Sequence, residues 1–220
     1  MQLATWLRGR FIAPSAEQIA FLKNKAAADA AFDAAMGVST GGVQHLYDLT
    51  INSENARFGT NHVASDPTEF KRAMERIDFD LSGATFIDFG SGRGRALIMA
   101  AMLPFKKVIG IEFAEELHRD SLENIRNSTC DLGPAGRISQ ILGDATQFQL
   151  PDGPLVLYFF NPFDAPIIGA VARNALASWQ ANPRPMRVVY LNPVFGDEWK
   201  KPGWRLLEFG EGRAIFGPPS

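Results

Sequence analysis

The run Thr85-Phe86-Ile87-Asp88-Phe89, followed by Gly90-Ser91-Gly92-Arg93-Gly94 and then by Arg95-Ala96-Leu97-Ile98-Met99-Ala100, constrains this chain more than any other stretch. A short run of strand character closes on an acid, crosses alternating glycines and enters a good helix former. Glycines there permit positive φ and let a ligand approach the backbone, while the free N–H groups of a helix start favour an anion. A corner of this kind belongs to a parallel α/β sheet, where ligands meet the carboxyl ends of the strands.

The sequence after Asp80-Leu81-Ser82-Gly83 agrees with that reading. Short apolar runs at 85–89, 107–113, 137–142, 155–160 and 187–191 alternate with helical stretches at 95–103, 115–127 and 165–179, the signature of βαβ units. The end differs. Runs at 204–209 and 213–216 are separated only by Gly210-Glu211-Gly212, a spacing that suits an antiparallel hairpin. Upstream, an Ala-rich stretch from Ser15 to Met36 reads as a helix stopped by Gly37, and 38–65 reads as loops with a brief strand at 46–51. Asp66-Pro67-Thr68-Glu69 opens a further helix: Asp caps, Pro fits the first turn, and Glu completes a capping box. Phe70, Met74 and Ile77 form its apolar stripe. The expectation is a mainly helical N-terminal extension over 1–79 and an α/β unit over 80–220.

At 220 residues and 46% hydrophobic, the chain can bury one substantial core. Its 22 basic and 24 acidic residues leave a net charge of -2, so no basic footprint argues for a nucleic-acid partner. Cys130 is the single cysteine, and His45, His62 and His118 are scattered, so no metal site is expected. No apolar run approaches the roughly 20 residues of a membrane span. Residues 1–8 lack the apolar stretch of a secretory signal, and a cytoplasmic setting is the expectation.

A dinucleotide fingerprint needs its third glycine where Arg95 stands, and Asp88 places a negative charge close to a pyrophosphate. An amino-acid moiety meets neither objection. The methionyl part of S-adenosylmethionine carries an ammonium for Asp88 and a carboxylate for the helix start. Glu112 lies about 20 residues beyond the glycines, where an acid accepts ribose hydroxyls. Gly143-Asp144-Ala145 follows the third strand, where Asp can accept an adenine amino hydrogen and a backbone N–H can meet a ring nitrogen. In order and spacing, Asp88 to Gly94, Glu112, Gly143-Asp144-Ala145 and Asn161-Pro162-Phe163 resemble the motifs of class I S-adenosylmethionine-dependent methyltransferases. A weaker likeness runs to the non-SET histone-lysine methyltransferases and their bacterial relatives. The resemblance implies a Rossmann-like, doubly wound, seven-strand sheet with its last strand inserted antiparallel. It also implies a cofactor site of Asp88, Gly90, Ser91, Gly92, Gly94, Glu112, Phe113, Asp144 and Ala145.

Asn161-Pro162-Phe163 follows the fourth strand and is a variant of the Asn-Pro-Pro-Tyr found in several class I enzymes that methylate planar nitrogens. Asn161 Oδ1 and the Pro162 carbonyl can accept hydrogen bonds from an NH2 group, and Phe163 can supply a ring against the acceptor. Methyl transfer to a neutral nucleophile held in line needs little acid–base help, so orientation carries the rate. The acceptor expected first is a protein side-chain nitrogen, Lys ahead of Gln. A small metabolite is the alternative, and a binding protein that lost transfer is the reading from another class. Arg93 and Arg95 are expected to pair with surface carboxylates, Thr60-Asn61-His62 to be an ordinary polar loop, and Trp199, Trp204, Phe209 and Phe216 to pack the sheet.

Overall fold

The computed structural model describes residues 16–210 and 212–220. Ser15, residues 1–8 and Glu211, on which parts of the sequence reading fall, lie outside the described residues. The helices are α1 (Ala16–Met36), α2 (Pro67–Met74), α3 (Arg95–Ala101), α4 (Glu115–Asn127), α5 (Ala165–Ala181) and α6 (Asp197–Lys200). The strands are β1 (Val43–Gln44), β2 (His62–Val63), β3 (Thr85–Phe89), β4 (Lys107–Glu112), β5 (Ile138–Leu142), β6 (Leu155–Phe160), β7 (Met186–Leu191), β8 (Arg205–Gly210) and β9 (Arg213–Gly217). Seven of them join in the order β5-β4-β3-β6-β7-β9-β8. The strands from β5 to β7 pair in parallel, and β9 runs antiparallel between β7 and β8. This is the doubly wound, mostly parallel sheet with an antiparallel C-terminal hairpin that the sequence implies. Strand order reverses between β3 and β6, and ligands of open α/β sheets meet the crevice at such a switch point.

Alternation along the central strands sorts the core. On β3 and β6, Ile87, Phe89, Leu155, Leu157 and Phe159 face one way, toward α5, Trp199 and Trp204. Phe86, Val156 and Tyr158 face the other, toward α2 and α3. Both faces are covered, which is why these strands read as continuous apolar runs. Trp199, Trp204 and Phe216 are buried in this core, whereas Phe209 is exposed.

Two local expectations are corrected. Residues 46–51 form no strand: Leu46–Asp48 is a single 3-10 turn, and Ile51 makes an isolated bridge to Ala114. The backbone here finds its partners at the start of α4, where the Glu115 N–H donates to the Thr50 carbonyl (3.1 Å). Asp66 does cap α2, accepting from the Thr68 and Glu69 amides at 2.8 and 3.0 Å. Glu69 does not reach back to complete a box, because its carboxylate is drawn to Arg72 one turn on (2.9 Å). Among the described residues no helix is long and apolar enough to cross a membrane, and no group of three His, Cys, Asp or Glu residues could hold a metal ion.

Candidate functional site

Asp88, next to last in β3, lies in parallel register with Gly110 of β4 and Tyr158 of β6, near the carboxyl ends of the three central strands. It is 4% exposed, and no donor among the described residues reaches its carboxylate. Burial, and then the negative charge of Glu112, push its pKa well above the usual carboxylate range. Gly90, Gly92 and Gly94 all take positive φ, of 78°, 53° and 85°. That geometry turns the loop amides toward β4: the Gly90 and Ser91 N–H groups donate to the Ile111 carbonyl at 2.9 and 3.1 Å. The Gly92 N–H donates to Glu112 Oε2 (2.7 Å), and Glu112 Oε1 accepts from the Phe113 and Ala114 amides, both at 2.9 Å. Burial raises the Glu112 pKa, with these three backbone donors opposing it.

The cavity at this corner brings Asp88, Gly90, Ser91, Gly92, Glu112 and Phe113 together with Pro162 and Phe163. Gly94, Asp144, Ala145 and Asn161 do not line it. Gly94 serves packing, since a Cβ there would run into Ser121 of α4. Ser91 exchanges hydrogen bonds with Gln140, accepting at 2.9 Å and donating at 3.2 Å. Asp144 begins a 3-10 turn and bonds Thr146 through Oδ1, and Ala145 is buried beneath it. Phe163 is 5% exposed and packs edge-on against Phe113 with centroids 6.1 Å apart, so little of its ring faces outward. Asn161 turns the chain at φ 46°, and its Oδ1 accepts from the Tyr190 hydroxyl (3.2 Å). Asn192, at the end of the neighbouring β7, repeats the same Asn-Pro step at φ 48°. Left-handed backbone at a non-glycine residue is costly and collects at functional corners. The signal for Asn192 was in the sequence, as the second Asn-Pro after an apolar run.

The N-terminal region lies across this corner. Its anchor is Arg95, 2% exposed, which pairs with Asp29 and with Asp33 (3.2 Å), donates to Thr40 Oγ1 (2.7 Å) and lies over the Phe32 ring. Arg93 donates to the Gly41 carbonyl (2.8 Å) and to Gln44 (3.1 Å) and pairs with Asp120 (3.2 Å). Both arginines thus pair with carboxylates, as expected, though the Arg95 pair is buried rather than on the surface. Beyond the anchor, Thr60 donates through its backbone N–H to the Pro162 carbonyl (3.2 Å) and through Oγ1 to the Asn161 carbonyl (2.9 Å). Gly59 bridges Phe163, and the Asp164 N–H donates to the Phe58 carbonyl (2.8 Å). Ser53 and Asn55 donate to Asp144 Oδ2 at 2.6 and 2.8 Å. Burial favours the protonated form of Asp144, but donors led by Ser53 outweigh it and hold the pKa below the usual value. His62 lies against Gly92, and burial together with the Arg93 charge pushes its pKa down to about 4. Thr60-Asn61-His62 is therefore part of the site. Composition gave no sign of this beyond polarity, which any exposed loop shares.

The corner offers a buried anion without a partner, a glycine turn against which a ligand can lie, and further carboxylates at two more strand ends. Such a set takes a polar ligand carrying a cationic group.

A family model described as protein-L-isoaspartate(D-aspartate) O-methyltransferase matches residues 21–180. The ribosomal protein L11 methyltransferase of Bacteroides fragilis is 33% identical over 131 residues, 59% of this chain and 40% of that protein. The chain spans well under half the length of the curated relatives it matches. Among solved structures, a predicted N6-adenine-specific DNA methylase from Listeria monocytogenes aligns with a TM-score of 0.55 at 12% identity, over 71% of this chain and 52% of that one. An RNA methyltransferase from Salinibacter ruber, solved with S-adenosyl-L-homocysteine, aligns with a TM-score of 0.46 at 18% identity, over 70% and 91%. The Listeria likeness is one of fold.

Proposed function

Since this chain belongs to the protein-L-isoaspartate(D-aspartate) O-methyltransferase family, we propose that it transfers a methyl group from S-adenosylmethionine to a nitrogen of a protein side chain, Lys ahead of Gln. The observation that carries the cofactor is Asp88, a buried carboxylate at the glycine corner that no donor among the described residues reaches. A buried carboxylate of this kind is costly unless a cation joins it, and the methionyl ammonium is such a cation. Glu112 Oε2 accepts one backbone N–H and keeps a lone pair for a ribose hydroxyl. Asp144 and the backbone of Ala145 are the groups for the adenine edge. S-adenosylmethionine, when bound, supplies an electrophilic methyl group. The residues of the chain bind, orient and exclude water, and orientation is where most of the acceleration arises.

For the acceptor, the chemistry at the end of β6 is that of hydrogen-bond acceptors, held by Thr60 and Tyr190 in this structure: the Asn161 and Pro162 carbonyls and Asn161 Oδ1. These groups hold an amine or amide N–H and point its lone pair away. Arg93 and Arg95 are committed to Asp120 and to Asp29 and Asp33, so neither serves an anionic acceptor. One observation favours a second reading. The Tyr190 hydroxyl on Asn161 Oδ1 leaves the Asn161 NH2 as a donor suited to a carboxylate, the type of acceptor in the family's description. In either reading the described part of the N-terminal extension (1–79), residues 16–79, supplies the cover of the site, the unit 80–220 supplies the transfer, and the setting is cytoplasmic.

The test is transfer of labelled methyl into cell lysate, split into protein, nucleic-acid and small-molecule fractions. The reading predicts label in protein that survives alkali, and its loss in Asn161→Ala with cofactor affinity retained. Alkali-labile label in protein identifies a carboxyl ester and the second reading. Label in the small-molecule or nucleic-acid fraction overturns both.

A further inference from the structure

The segment 41–63 runs between buried residues, Thr40 at 0% exposure and Ala64 at 2%, yet its own residues, His62 included, are at most half-buried. It is held down chiefly by polar bonds to the ends of β4, β5 and β6. Segments with little buried apolar surface open at low cost.

Its bonds fall on the groups that the methyltransferase reading assigns to cofactor and acceptor. A carboxylate offers about four lone-pair sites. All of those on Asp144 are taken: Oδ1 by the Thr146 N–H (2.8 Å) and hydroxyl (2.7 Å), Oδ2 by Ser53 (2.6 Å) and Asn55 (2.8 Å). Thr146 belongs to the local turn, so an adenine amino group gains Asp144 only by displacing Ser53 or Asn55. His62 rests against Gly92, at the face of the loop that a ligand approaches. The free space at the corner is about 50 Å³, against roughly 300–1,000 Å³ for ligand pockets. Thr60 meanwhile covers the Asn161 and Pro162 carbonyls.

We propose that segment 41–63 is a gate competing with the cofactor for Asp144 and for the space above Gly92. Because the same segment carries Thr60, cofactor binding uncovers the acceptor corner and imposes an order of binding, cofactor first. Ser53 and Asn55 act as the internal competitor for the adenine edge. The proposal rests on the methyltransferase reading.

Calorimetry of S-adenosylhomocysteine binding to the full chain and to a Ser53→Ala/Asn55→Ala variant tests it, with Asn55→Asp as a second variant that sets a like charge against Asp144. Competition predicts affinity several-fold tighter in both variants than in the unaltered chain. Hydrogen exchange supplies the second readout: saturation with S-adenosylhomocysteine speeds exchange of the Thr60 and Glu115 amides, which donate to the Pro162 and Thr50 carbonyls. Equal or weaker binding in the variants, or slower exchange at those amides, overturns the gate and makes Ser53 and Asn55 supports of a bound cofactor. Absence of binding by the unaltered chain and both variants removes the methyltransferase reading and the gate together.

Discussion

Arg95→Met removes the charge that fastens the N-terminal region to the glycine loop while keeping most of the side-chain length. Arg95 is 2% exposed, and the side chains of its partners Asp29 and Asp33 are 10% and 17% exposed. Breaking a buried ion pair by removing one member costs about 3–5 kcal/mol, because the other charge stays buried without a partner. Asp29 keeps Lys25 at 3.1 Å, and Asp33 keeps the Thr40 and Gly41 amides at 2.9 Å each, which places the cost at the low end, about 3 kcal/mol. For a domain of this size that corresponds to a Tm lower by about 6–12 °C. Thermal unfolding followed by circular dichroism measures it, and Asp29→Asn in the same background shows whether the two side chains act as one unit. A loss below about 1 kcal/mol contradicts the argument, since it means that the Arg95 cluster is solvated and holds nothing.

His62 gives a pH signature. Its pKa falls from 6.5 to about 4 in the fold, so the folded state binds fewer protons, and its contribution is present above pH 6.5 and lost as pH falls toward 4. The difference has a ceiling of about 3 kcal/mol. His62→Gln flattens that stretch of the denaturation profile, and an unchanged slope refutes the assignment. Gly90→Ala destabilises by about 1–3 kcal/mol, because φ is 78° and the added Cβ strikes Pro162; urea denaturation reports it, and a neutral result shows that the loop relaxes freely. Asp88→Asn removes a buried charge whose pKa the fold raises, a penalty present at neutral pH and relieved as pH falls through the folded value. The variant therefore melts a few degrees higher at pH 7 in the absence of ligand, and a lower Tm there contradicts the burial argument.

The sheet was legible because its central strands are buried on both faces. Runs such as Leu155-Val156-Leu157-Tyr158-Phe159-Phe160 carry their assignment in composition alone, and the strand, glycines and helix around Asp88 carry the corner. The cover over that corner was not legible. Ser53 and Asn55 meet Asp144 across 91 and 89 residues of sequence, and neither residue type nor local pattern encodes a partner so distant. Residues 46–51 misled for a related reason: Leu46, Leu49 and Ile51 have strand composition, but the hydrogen bonds of this stretch were set by the start of α4. Arg95 was read as a pairing residue with surface carboxylates, and what was missed is its depth. An arginine opening a helix gives no sign from composition that α1 will close over it.

Calorimetry of the purified chain with S-adenosylhomocysteine, beside Asp88→Asn, tests the central claim most directly, because Asp88 is the group that calls for a cationic partner. The account predicts one saturable site per chain and an affinity about ten- to a hundredfold weaker in Asp88→Asn, as expected for a lost charge-assisted bond of roughly 1.5–3 kcal/mol. No binding by the unaltered chain, or equal affinity in the two proteins, contradicts it.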